Sequence, residues 1–123
     1  MILKRNLSLK NLTELPKIFL IRMNFEGRLD EIIMEVGSYS YNDSKNKMNR
    51  EFDVVTKDRK GYIAYKCKYT NSPIDKHIIE ELNQTNDLID IAFYKLGFIS
   101  KSGYKADVDT KKYICFSLDD FYK

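Results

Sequence analysis

Apolar residues recur at two different spacings along this chain, and the changes of spacing mark out its elements. Residues 1 to 26 carry both periods at once, in "LSLKNLTELPKIFLIRMNF", and are expected to form a short helix or arm leading into the core. In "GRLDEIIMEVG", residues 27 to 37, Leu29, Ile32, Ile33 and Val36 fall at helical spacing with Gly37 as a stop. The spacing predicts a helix there, with Glu31 and Glu35 four residues apart on one side. "SYSYNDSKNKMNR" begins by alternating and then turns polar, as a short strand followed by an exposed loop would. "EFDVVTK" and "GYIAYKCKY" are rich in β-branched and aromatic residues and flank "DRKG", a tight turn opened by Asp58 and closed by Gly61. Pro73 introduces "PIDKHIIEELNQTNDLI", in which Ile74, Ile78, Leu82 and Thr85 or Asn86 mark a helix of about four turns. "IAFYKLGFIS" returns to strand composition, a loop passes through Gly103, and "KKYICFSL" is a last strand before a closing turn in "DDFYK".

A helix between strands requires a crossover, so this order predicts a mixed sheet covered on both faces. If the hairpin turn is centred on Arg59 and Lys60, Asp53 lies opposite Lys66 and Glu51 opposite Lys68. Directly opposed residues share a side, which gathers these four charges on one face and sends Phe52, Val54, Tyr65 and Cys67 to the other. A bulge at Gly61 would slip that register. Two cross-strand ion pairs on a solvated face would account for such a cluster; so would an active site.

Composition narrows the field. The 123 residues are 43% hydrophobic and 32% charged, a balance that predicts one water-soluble globular domain. The net charge of +3 describes no nucleic-acid-binding tail, although it leaves room for a local basic face. No stretch reaches the ~20 apolar residues of a membrane span, "KIFLIRMNF" being broken by Arg22, and no signal-peptide pattern precedes it. Cys67 and Cys115 stand singly in apolar segments and read as reduced core thiols of a cytoplasmic protein. A single histidine, His77, leaves almost no material for a zinc site or a Ser-His-Asp arrangement. No Walker-type loop occurs, so nucleotide chemistry would belong to another domain or chain.

An acid-bearing strand "EFDVV", a turn, and a strand ending in a Lys-x-Lys run resemble the PD-(D/E)XK nuclease core. More closely, residues 38 to 70 followed by "YKLGFISKSGY" are similar to the C-terminal nuclease-like domain of archaeal and bacterial AAA-type ATPases of unassigned role. The resemblance covers about residues 27 to 122 and implies a restriction-endonuclease-like α/β fold. That fold has a mixed sheet of four to five strands flanked by helices in the order α-β-β-β-α-β. It would occupy residues 27–123 as a single domain, after an arm or short helix at 1–26.

Carried over, the resemblance makes Asp53 the metal-holding aspartate and Lys68 the lysine that positions water or offsets phosphate charge. Glu31 becomes the first helix's added glutamate, and Glu51 the acid two residues before the aspartate. Lys66 departs from the pattern, which has glutamate there. An ammonium in place of a carboxylate moves the local charge by two units and would pair with Asp53, taking a second ligand from any Mg²⁺ or Mn²⁺. No cofactor is therefore expected unless activity is retained, with Asp53 as metal ligand and Glu80 or Glu81 in the vacant place.

Three functional expectations follow. The first is a catalytically degenerate nuclease-like domain that serves an ATPase, in the same or another chain, as a nucleic-acid-binding or regulatory C-terminal module. Lys57, Arg59 and Lys60 at the hairpin tip would contact phosphates of DNA, and Tyr62 and Tyr65 would stack on bases. The second is an active Mg²⁺- or Mn²⁺-dependent nuclease with a rearranged carboxylate. The third is a pure interaction or oligomerisation module, in which a homo-oligomer would form.

Overall fold

The computed structural model describes residues 15–43, 48–87 and 91–119, with the side chains of 40–43 and 48–51 outside that description. Two helices and five strands follow in the order α1 (Leu15–Phe25), β1 (Glu35–Asp43), β2 (Met48–Asp58), β3 (Gly61–Lys68), α2 (Lys76–Asp87), β4 (Phe93–Ser100) and β5 (Ile114–Ser117). The strands form one sheet in sequence order. β1 and β2 pair antiparallel, as do β2 and β3, whereas β3–β4 and β4–β5 are parallel. β2 alone thus runs against the other four strands. A mixed sheet of four to five strands flanked by helices was expected; the order found is α-β-β-β-α-β-β.

Each helix covers one face. Phe19, Leu20 and Met23 of α1 pack with Val54, Ile63, Tyr65 and Ile99. Ile79 and Leu82 of α2 pack with Phe52, Val55, Ala64, Leu96 and Phe98 on the other side. α1 lies within the segment expected to be an arm or short helix, and its three inward side chains are almost fully buried, so the domain's own core begins before residue 27.

The helix predicted over 27–37 is replaced by a loop and the start of β1. Gly27, at φ 70°, ends α1 in a left-handed conformation. Its N–H bonds the Asn24 carbonyl at 3.1 Å, and the Arg28 N–H bonds the Met23 carbonyl at 2.9 Å, which closes the helix C-terminus. The Asn24 side chain then takes the Ile33 N–H at 2.9 Å and donates to the Ile33 carbonyl at 3.4 Å. The loop's helical apolar spacing is spent differently: Leu29, Ile33 and Val36 lean on the α1-side core while Ile32 is exposed.

Other elements fall close to expectation. Asp75 caps α2 through the N–H groups of His77 (3.0 Å) and Ile78 (3.3 Å). The hairpin pairs Asp58 with Gly61, and the Asp58 Oδ1 accepts the Lys60 N–H at 2.7 Å. The strand expected at residue 38 begins at Glu35, and Met48–Arg50, expected in a loop, already belong to β2. Of the closing segment, 120–123 lie outside the described residues.

One register feature overturns an expectation. Gly37 pairs with Val55 but Tyr39 with Phe52, so Ser38 faces both Asp53 and Val54. This β-bulge in β2 reverses the alternation. Phe52, expected beside Val54 and Tyr65, instead joins Val55 and Ala64 under α2.

Candidate functional site

The bulge lifts Asp53 out of the ladder in the middle of β2, one residue beyond the Val54–Tyr65 pair with β3. Its Oδ2 accepts the Cys67 N–H at 2.7 Å and lies 3.7 Å from the Lys66 Nζ. Asp53 and Lys66 therefore meet, as the turn register implies. Both side chains are partly shielded, at 25% and 35% exposure. Burial first, and then the Asp53 carboxylate, push the neighbouring Cys67 thiol well above its usual range. Cys67 is accordingly a protonated, packed thiol.

Lys68 ends β3, paired in register with Ser100 of β4. The next residues knit the two parallel strands together beyond their carboxyl ends. The Lys101 N–H bonds the Lys68 carbonyl at 2.9 Å, its Nζ reaches Asn71 Oδ1 at 3.2 Å, and Ser102 Oγ donates to the Thr70 carbonyl at 2.6 Å. Buried Ser100 supports the turn, its Oγ donating to the Gly103 carbonyl at 2.8 Å. Lys101 and Ser102 carried no assigned role in the sequence reading; their signal was the "FISKSGY" run itself.

Glu31 does not join this group. It pairs with Lys60 at 3.1 Å, at the hairpin tip. Asp53 sits five residues back along β2, which corresponds to about 17 Å of strand. The loop that replaces the predicted helix is what carries Glu31 to the tip. Glu51 pairs through its backbone with Ser40, and its side chain lies outside the described residues. Glu80 and Glu81 are exposed on α2, and Glu80 faces His77 at 3.9 Å. Among the described residues, no group of three His, Cys, Asp or Glu side chains is arranged to hold a metal ion.

The expected stacking surface also changes. Tyr65 is 2% exposed and cannot receive a base, because its ring lies against Gly97 of β4. Burial, followed by Asp58 and Asp30, holds its phenol far above the usual value. Tyr62 stays partly exposed with the Lys57 Nζ 5.7 Å from its ring centre, and Arg59 is exposed in the turn. The tip also contains a contact between distant residues: the Tyr94 hydroxyl donates to the buried Asp58 Oδ2 at 2.6 Å. Burial and that carboxylate raise the Tyr94 phenol as well.

No protein-family model matches the sequence, and no curated protein matches it. Among solved structures, the chain is similar to the crystal structure of the protein of unknown function AF1548. The similarity has 16% identity and a TM-score of 0.48, over 87% of this chain and 57% of that one. No described helix is long and apolar enough to cross a membrane.

Proposed function

We propose that this chain is a nuclease-fold domain that binds nucleic-acid phosphate without hydrolysing it. The observation that carries the reading is the engagement of Asp53 by the Lys66 ammonium and the Cys67 N–H. A cation about 4 Å from a metal position repels the ion by about 1 to 4 kcal/mol per unit charge, and it holds the carboxylate the ion would need. What remains positive beside it is the carboxyl end of the parallel strands, where Lys68 ends β3 and Lys101 directly follows β4. Crevices at such strand ends are where open α/β sheets take ligands, and lysines there suit backbone phosphates. The ATPase that the sequence resemblance implies is part of the same proposal, as the partner that delivers or uses the bound strand.

Fluorescence anisotropy of labelled single- and double-stranded DNA at stepped salt tests the binding. Lys68→Gln and Lys101→Gln should each weaken it uniformly and lower the salt slope by about one, whereas Arg59→Gln should leave it unchanged. Absence of salt-dependent binding to either DNA form would sink the proposal. Loss of metal chemistry is tested separately. Lys66→Glu should gain Mn²⁺- or Mg²⁺-dependent thermal stabilisation that the parent chain lacks. Metal-dependent cleavage by the parent chain, abolished in Asp53→Ala, would instead establish an active nuclease.

A further inference from the structure

At the opposite end of the sheet, between the loop of residues 28 to 33, the hairpin tip and the starts of β4 and β5, lies a cavity of about 320 Å³. Part of its lining is apolar. Tyr65 lies across Gly97 so closely that a Cβ there would stand 2.5 Å from a ring carbon, and Ile63, Ile114 and Phe116 continue the surface. A glycine at 97 is what allows the ring to lie there.

One wall is polar and already satisfied. Tyr62 pairs with Phe93 but Ile63 with Lys95, so β4 carries an extra residue, Tyr94, at this point. The bulge gives Tyr94 its place beside Asp58, where it donates at 2.6 Å, while Glu31 is held by Lys60 at 3.1 Å. These oxygens retain lone pairs for a ligand's donors. Half-buried Lys95 and exposed Lys111 also line the cavity. Neither ammonium has a hydrogen bond or ion pair among the described residues, and Asp30, which also lines the cavity, is exposed. A partly desolvated lysine beside an apolar surface is costly until an anion accompanies it.

We propose that this cavity binds a small molecule of the nucleoside monophosphate class. A planar ring would lie against half-buried Ile114 and Phe116, its donors toward Asp58 and Glu31, and a doubly charged phosphate would be met by Lys95 and Lys111. Carboxylate acceptors, two lysines and an apolar surface lining one cavity match that distribution of chemistry. Cavity volume agrees with the lower range of small-molecule sites. The inference is independent of Asp53 and Lys66, which lie at the middle of β2 and near the carboxyl end of β3.

The four common nucleoside 5′-monophosphates, each at millimolar concentration, provide the probes, with adenosine and inorganic phosphate as controls. Thermal shift and amide chemical-shift mapping on the full chain read out binding. At least one monophosphate should raise the melting temperature and shift Tyr94, Lys95 and Phe116, with adenosine and phosphate each much weaker. Lys95→Gln and Lys111→Gln, both surface-accessible, should keep the unliganded melting temperature and weaken binding by about tenfold each. Affinity unchanged in both variants, shifts confined to Lys68 and Lys101, or no response to any of the four monophosphates would overturn the proposal. DNA binding by Lys68 and Lys101 can fail without affecting this result.

Discussion

Among the contacts that hold Asp53 are two of different kinds, and they differ in cost. Its bond to the Cys67 N–H is a charge-assisted link to backbone, 2.7 Å long, in a shielded place. Its contact with Lys66 is longer, at 3.7 Å, between side chains that still see some water. Asp53→Ala leaves a backbone donor without its acceptor and should cost about 1–3 kcal/mol. Lys66→Met removes only the ion pair and should cost under about 1 kcal/mol. Urea unfolding of the two variants checks the order; equal losses would mean that the ion pair, and not the strand-end hydrogen bond, holds the carboxylate. That these two residues meet was legible from "DRKG" and strict alternation. The bulge that frees Asp53 was not, because it depends on how β1 lies against β2, across residues whose pattern alone is compatible with either register.

At the scale of elements, the strongest packing constraint is the crossing of Tyr65 over Gly97. Gly97→Ala would put a methyl group 2.5 Å from the ring. Tyr65 is 2% exposed and has nowhere to go, so this overpacking should cost about 1–3 kcal/mol. Tyr65→Leu should recover part of that loss in the double variant, as a double-mutant cycle on melting curves would show. Failure of any rescue would place the strain in the β4 backbone. The 27–37 segment illustrates the reverse case, in which helical spacing did not yield a helix. Gly27 stops α1 and Asn24 clamps Ile33, so the same apolar residues meet the core from a loop. Spacing reports which residues are apolar; the stop signal before them decides the backbone that carries them.

For the whole molecule, several acids are kept protonated by the fold. Burial, reinforced by Asp109, raises the Cys115 thiol from its ordinary 9.0 to about 11, and burial dominates in Cys67, Tyr65 and Tyr94 too. Between the ordinary and the raised values the unfolded chain has lost protons that the folded chain keeps, so stability falls with rising pH. The contribution is complete below pH 9 and diminishes from there through about 11 for Cys115. Melting temperatures measured across that window should decline, and less steeply in Cys115→Ser; a flat profile would contradict the burial. Alternation, turn chemistry and the helical spacing that follows Pro73 were enough to imply a mixed sheet between two helices and the meeting of Asp53 with Lys66, since each depends on neighbours in sequence. The structure alone decided that Glu31 serves the hairpin tip, that Tyr65 is buried and that Tyr94 finds Asp58. Those contacts join residues brought together by strand pairing and chain crossing, which leave no local signature in the residues themselves.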